Sequence, residues 1–379
     1  MRRMKRNLTA YVEAECDVPF TRRSLNAVDA AIFAQLAYLD YSLVPDTLPQ
    51  TLAAVAEAGL IPQMGRGIWM SDLNDRLVQA LAVSVRFKDV TWRAVEHCAD
   101  TARELRFAAI TFILDRDEYL IAYRGTQAAL VDWKEDFNMT YLQAVPSQEL
   151  AADYLQRQVT AFPGKYYVAG HSKGGNLAVY AMMHNSLAVQ GAVQLIYNFD
   201  GPGLKVSVPV NVQAKVRKFV PESTIIGLLL EPDAHYRIVQ SNVSGISQHN
   251  LLTWRVQRRH FAPGSELRWS ARYTQRAIDE WLRELDPEMR RDVLDSFYAV
   301  LAASDIDDLN ALGQALPQTA RTVVSQMRAA DPTVRAQWQQ ALGDLMTAMR
   351  RAAVRSEGSA TVVDRVRDRR RRLLEKMRR

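Results

Sequence analysis

Cysteine is scarce in this chain: 379 residues contain two, Cys16 and Cys98. They allow at most one disulfide, and a chain of this length buries enough apolar surface to need none. Two free thiols in a reducing compartment are therefore expected. Long apolar runs are also missing. No stretch approaches the roughly 20 apolar residues that a membrane-spanning helix requires. The basic start, Met1-Arg2-Arg3-Met4-Lys5-Arg6-Asn7, is not followed by an apolar run of signal-peptide length before Glu13 and Glu15. A cytoplasmic location is the resulting expectation. The sequence lacks a metal-ligand cluster, a phosphate-cradling glycine loop and a dinucleotide fingerprint, so no metal and no cofactor are expected. Internal repeats are absent too.

What is present is ordinary in bulk and uneven in charge. Hydrophobic residues make up 48% and charged residues 24%, as in a folded soluble protein. The formal net charge is +6. Residues 365–379 hold nine Lys or Arg and two acidic residues, a balance of +7 that leaves the rest of the chain at −1. The body is near neutral and the tail is basic. The simpler reading of the tail is a solvated, frayed helix. The alternative is contact with an anionic surface, membrane or nucleic acid.

Apolar spacing lays out the elements. Residues 26–39 carry Val28, Ala31, Ile32 and Leu36 at helical intervals, with Asn26 placed to cap. Residues 74–98 are mixed and read as helical in part. Phe107–Leu114 and Tyr119–Tyr123 are apolar runs around the polar turn Asp115-Arg116-Asp117-Glu118, the pattern of two buried strands. A helical stripe from about Ser147 stops at Pro163-Gly164. Lys165–Ala169, Val193–Phe199, Val216–Val220 and Tyr236–Gln240 read as further strands, and Asn176–Met183 as a helix. Alternating strands and helices imply an α/β fold around a mostly parallel sheet. Beyond about residue 266 the strand patterns stop. Asp331-Pro332 starts a helix whose face is Val334, Trp338, Leu342, Leu345 and Met349. The expected organisation is an α/β domain over 1–265, a helical extension over 266–352, and a basic tail over 353–379.

Gly170-His171-Ser172-Lys173-Gly174 fits Gly-x-Ser-x-Gly. Three fixed positions alone say little. Here a strand pattern runs in and a helix pattern runs out, the context of a nucleophile elbow, where a serine on a sharp turn exposes its hydroxyl. The small residues two places before and after it let neighbouring backbones approach, and Gly175 adds room. The simpler alternative is a glycine-rich turn with an incidental serine. The following helix would aim its positive end at developing negative charge.

Residues 170–178, Gly-His-Ser-Lys-Gly-Gly-Asn-Leu-Ala, resemble the elbow of the Mbeg-like family of bacterial lipase-like proteins, related to the class-three lipases. Tyr123-Arg124-Gly125-Thr126 with Asp132-Trp133 and Asp136 is similar to that family as well. So are Asn198-Phe199-Asp200-Gly201-Pro202-Gly203, Ser247-Gln248-His249 with Trp254, and the early segment Ala34–Asp40. The resemblance spans roughly residues 25–300. It implies an α/β-hydrolase fold and a serine hydrolase.

An acyl-transfer serine needs donors for the oxyanion. One is expected from the backbone N–H of Lys173, the residue after the nucleophile. The second belongs on a loop after an earlier strand, where Thr126 stands. The resemblance assigns it that role, through its N–H and its hydroxyl, with Asp132, Trp133 and Asp136 bracing the loop. Four histidines follow Ser172. His184, His235 and His260 sit at an element end or beyond the last core strand. His249 lies in the polar loop Ser241–Asn250 that a triad histidine needs, and the resemblance selects it as well. For the acid, position leaves Asp200, Glu222 and, more distantly, Asp233 open. Asp200 carries the family's Asp-Gly-Pro-Gly signature, whereas class-three lipases place the acid after a later strand. The stretch Thr224–Leu230 reads as core packing, with an acyl-pocket wall or lid as the alternative.

The expected activity is hydrolysis of carboxylic esters, on a lipid or small-molecule substrate, through Ser172, His249 and Asp200. Two competing readings are a silent hydrolase-fold scaffold that works through its C-terminal segments, and an amidase using the same residues.

Overall fold

The computed structural model describes residues 6–126, 134–231 and 235–285, with isolated residues between 288 and 347. A seven-stranded sheet runs through its centre, in the order β1 (Thr91–Asp100), β2 (Leu105–Asp115), β3 (Glu118–Tyr123), β4 (Lys165–His171), β5 (Val193–Phe199), β6 (Val216–Pro221) and β7 (Arg237–Val239). The first three strands pair antiparallel; β3 to β7 pair parallel. A two-stranded ribbon, β8 (Val256–Gln257) and β9 (His260–Phe261), follows.

Helices cover both faces, as a parallel sheet requires. Before the sheet come α1 (Leu8–Glu15), α2 (Ala27–Leu36), α3 (Leu52–Glu57), α4 (Ile61–Met64) and α5 (Ser71–Val83). Between and after the strands come α6 (Lys134–Asn138), α7 (Pro146–Ala161), α8 (Lys173–Met183), α9 (Leu187–Ala192), α10 (Val210–Gln213) and α11 (Trp269–Glu284). The period-2 alternation of strand side chains divides the core. Leu120, Ala122 and Ala169 point with Phe33, Leu36 and Phe112 into one layer under α1–α5. Tyr119, Ile121, Tyr123 and Val168 point into the other, against Tyr154 and Leu155 of α7 and Leu177 and Ala181 of α8. This is the α/β architecture around a mostly parallel sheet that the alternating patterns implied, of the hydrolase type that the family resemblance implied.

The N-terminal layer is locked by one buried ion pair. Arg86 and Asp29 are both fully buried, with guanidinium-to-carboxylate distances of 3.0 and 2.7 Å. The remaining Arg86 donors reach the carbonyls of Val18, Arg23 and Ser24, and Tyr11 Oη donates to Asp29. Asp29 also closes a capping box with Asn26 at the start of α2. Each lone pair and proton finds a partner, the condition under which a buried pair is tolerated.

Two sequence readings need correction. Residues 74–98, read as partly helical, end as helix at Val83 and contain the first strand from Thr91. A β-bulge between Arg93 and Glu96, with Ala94 at φ 51°, shifts the register and breaks the alternation by which a strand is recognised. The elbow is tighter than a strand ending at Ala169 and a helix starting at Asn176 imply: β4 runs through His171 and α8 begins at Lys173, so Ser172 alone makes the corner. Asn26, α7, β5 and β6 fall where the pattern put them. Both cysteines are free. No helix of the described residues is long and apolar enough to cross a membrane. The helix expected from Asp331, its apolar face, and the basic tail lie outside the described residues.

Candidate active site

Ser172 stands at the C-terminal edge of the sheet with φ 56° and ψ −131°, a conformation L residues avoid. Its corner is held by Ser172 N–H to the Phe199 carbonyl at 2.9 Å and by Gly175 N–H to the Ser172 carbonyl at 2.9 Å. The glycines of the motif are required by close approach. A Cβ on Gly170 would strike the Gly174 backbone, and one on Gly174 would strike the carbonyl of Tyr123. The corner is therefore wedged between β3 and α8, which explains the spacing seen in the sequence.

Asp200 is the first residue beyond β5 and also has positive φ, 52°. It is completely buried. Its Oδ2 lies 2.7 Å from His249 Nδ1, and its Oδ1 accepts from Thr224 Oγ1 at 2.5 Å. A carboxylate only accepts, so His249 donates through Nδ1–H and leaves Nε2 bare. Glu222, the alternative acid, turns its side chain toward Gly264 and makes no hydrogen bond to His249 among the described residues. Asp233 lies outside them. Thr224 belongs to the stretch expected as core packing; the structure makes it the second side-chain partner of Asp200, and no sequence signal marked that. Within the same stretch Leu228 is core.

His249 ends a 3-10 turn, Gly245–His249, where the sequence showed only a polar loop. Gln248 fastens that turn. Its Oε1 accepts from Ser223 N–H at 2.8 Å and its Nε2 donates to the Val243 carbonyl at 2.8 Å. The buried Trp254 indole donates to the Gln248 carbonyl at 2.8 Å. These contacts account for the Gln-His and Trp positions noted in the sequence. The other three histidines lie elsewhere: His184 stacks on Tyr180 at the end of α8, and His235 and His260 are exposed. In this conformation the Ser172 hydroxyl makes no hydrogen bond to His249 among the described residues.

The candidate oxyanion residues share one support. Lys173 opens α8, so its N–H has no acceptor within the helix. Its side chain is buried, with Nζ 2.9 Å from Glu135 Oε2 and 2.8 Å from the Arg106 carbonyl. Glu135 Oε2 also accepts from Arg106 N–H, and Oε1 from Ser147 N–H. The neighbouring Asp136 accepts from Thr126 Oγ1 at 2.5 Å. That bond directs the Thr126 hydroxyl to a carboxylate, so the donor left to Thr126 is its backbone N–H. Helix α6 thus grips both candidate donor residues, and Asp136 braces Thr126 as expected. Asp132 and Trp133 lie outside the described residues.

The remaining motif residues tie these loops together. Asn198 Oδ1 accepts from Gly201 N–H at 2.8 Å. Asn176 donates to the Gly203 carbonyl at 2.8 Å and accepts from Gln148 Nε2 at 2.8 Å. Two further residues beside the serine, given no role in the sequence, join this network. His171 and Tyr38 are hydrogen-bonded to each other at 3.0 Å, and His171 Nε2 lies 2.7 Å from the His249 carbonyl. Burial, and then the neighbouring His249, hold the His171 pKa well below the ordinary imidazole value, so it is neutral.

A family model described as Mbeg1-like matches residues 81–299. Solved structures with a similar course include that of M37 lipase, 16% identical over 54% of this chain and 70% of that one, with a TM-score of 0.34. Lipase II from Rhizopus niveus is 13% identical over 57% of this chain and 79% of its own, at a TM-score of 0.31. The Rhizomucor miehei lipase propeptide complex is 13% identical over 57% and 68%, at 0.30. No curated protein shows a significant match to the chain.

Proposed function

On the premise that this chain belongs to the Mbeg1-like family, we propose that it is a serine hydrolase that cleaves carboxylic esters through Ser172, His249 and Asp200. The observation that carries the proposal is the 2.7 Å contact of His249 Nδ1 with the buried carboxylate of Asp200, beside a serine in elbow geometry. A histidine so held keeps Nε2 free to take a proton.

The chemistry follows the positions. Substrate binding brings the Ser172 hydroxyl within reach of His249 Nε2, since such bonds commonly tighten only in the complex. His249 removes the proton as Ser172 Oγ bonds to the acyl carbon, and the carbonyl electron pair moves to oxygen. The N–H groups of Lys173 and Thr126 receive that oxyanion. The imidazolium formed is stabilised by Asp200, whose charge Thr224 shares. Collapse expels the alcohol, protonated by His249, and leaves an acyl ester on Ser172. Water, activated by the same imidazole, then releases the acid.

Hydrolysis of a p-nitrophenyl ester series by the full chain, against Ser172→Ala, tests the reading. Turnover lost in the variant, with the fold retained, supports it. Equal rates in both would refute it.

A further inference from the structure

The residue preceding the nucleophile has the features of a machine part rather than of filler. His171 is the last residue of β4 and is 7% exposed. Both of its ring nitrogens are engaged: Nδ1 with the Tyr38 hydroxyl at 3.0 Å and Nε2 with the His249 main-chain carbonyl at 2.7 Å. Its ring lies beside that of His249, with centroids 4.5 Å apart and planes tilted by 36°.

We propose that His171, held as the Nε2–H tautomer, is a positioning residue that couples the nucleophile corner directly to the main chain of the base, with Tyr38 as its necessary second partner. The proposal rests on the hydrolase reading for its catalytic meaning, but its geometry stands alone.

The tautomer follows from donor and acceptor chemistry. A carbonyl oxygen only accepts, so Nε2 must carry the hydrogen. Nδ1 of the neutral ring is then an acceptor, and Tyr38 O–H is the donor that meets it. The opposite tautomer would set the Nε2 lone pair against the carbonyl and lose the bond. A doubly protonated ring would turn Nδ1 into a donor, so the Tyr38 hydroxyl would have to rotate and accept instead. It would also put a cation 4.5 Å from an imidazole that must itself become a cation during turnover. Among the described residues, the titratable groups facing His171 are Tyr38, His249 and, through His249, Asp200, with Arg124 and Asp136 acting on the Tyr38 hydroxyl.

The brace matters because of what else holds the base. Trp254 and Gln248 attach the His249 turn to its own loop and to the segment after β6. Asn250 reaches the Trp69 carbonyl at 3.2 Å. The His171 bond refers the base to the residue adjacent to the nucleophile. Tyr38, just beyond α2, extends the same tie to the oxyanion loop: its hydroxyl packs so tightly on Gly125 that a Cβ there would collide with it, and would lie 3.1 Å from Ser172 Cβ. Nucleophile, base and oxyanion loop thus meet at one pair of side chains. A displacement of about 1 Å in such a constellation costs on the order of 10²-fold in rate.

The test uses the full-length protein labelled with 15N-histidine, with His171 assigned by the signal lost in His171→Gln. Its ring should show the neutral Nε2–H pattern throughout pH 5.5–8, and Tyr38→Phe should disturb that pattern. A titrating ring, or an Nδ1–H tautomer, overturns the proposal. In parallel, His171→Leu should lower kcat on an activated ester by about 10²-fold with KM nearly unchanged. His171→Gln, whose amide can still donate to the carbonyl, should recover at least about tenfold of it. Equal losses in the Gln and Leu variants, or full activity in the folded Leu variant, would also overturn it. The spectrum needs no turnover. Wild type that hydrolyses no ester would sink the hydrolase reading, and the brace would stand or fall on the tautomer alone.

Discussion

Ser172 and Asp200 occupy equivalent corners of the sheet: each is the first residue beyond one of two neighbouring parallel strands, and both hold positive φ, 56° and 52°. The residues just before them, His171 and Phe199, are register partners, and Ser172 N–H donates to the Phe199 carbonyl. The two strained corners are thus built against each other, and Asp200 is carried to the buried side of His249. Such conformations cost about 1–3 kcal/mol each and persist where surrounding structure holds them.

This strain makes the serine separable from stability. Ser172→Gly should be more stable than Ser172→Ala by about 1 kcal/mol, because glycine adopts that backbone readily. Both should be inactive. Chemical denaturation of the two variants measures the difference, and an Ala variant as stable as Gly would show that the corner is relaxed.

The assignment of the acid is tested by exchange of oxygen for nitrogen. Asp200→Asn keeps the shape but spoils the tautomer, and should lower kcat by about 10⁴-fold. Glu222→Gln should stay within a few-fold of wild type. A reversal of these effects in steady-state kinetics would transfer the role to the later strand, where class-three lipases place their acid.

The buried Lys173–Glu135 pair should behave as a unit. Removing either partner leaves a buried charge, so Lys173→Met or Glu135→Leu alone should cost about 3–5 kcal/mol. The double variant should recover most of that loss in a denaturation cycle, while its kcat stays reduced because α6 no longer holds the residue at position 173 through an ion pair. Additive losses in the cycle would mean that the two charges do not support each other.

A pH dependence follows from His171. Its pKa is depressed in the folded protein, so between that value and the unfolded value of about 6.5 the unfolded chain binds the extra proton. Stability should therefore fall as pH drops below about 6.5, by up to about 1.4 kcal/mol per pH unit from this group. His171→Gln should flatten the slope by that amount. An unchanged slope in urea titrations at pH 5, 6 and 7 would contradict the account.

Much of this was legible in the sequence, because strong local signals coincide with strong constraints. The elbow glycines are forced by backbone collisions, and the apolar runs of β3 to β6 by burial on both faces. What was missed lacks such a signal. β1 is an edge strand whose bulge at Ala94 erases the alternation. Thr224, Tyr38, His171 and Glu135 act through tertiary hydrogen bonds spanning 24 to 133 residues of sequence. Spacing along a chain cannot encode a partner at that distance. His171 was in view throughout as the variable position of Gly-x-Ser-x-Gly, and only the structure gives its ring two partners.

The most direct test of the central claim is labelling of the full-length protein with a fluorophosphonate, which reacts with an activated serine regardless of the natural ester. The account predicts strong labelling of wild type that disappears in Ser172→Ala and in His249→Ala. Folded wild type that resists the probe, or a Ser172→Ala variant that labels as well as wild type, would contradict it.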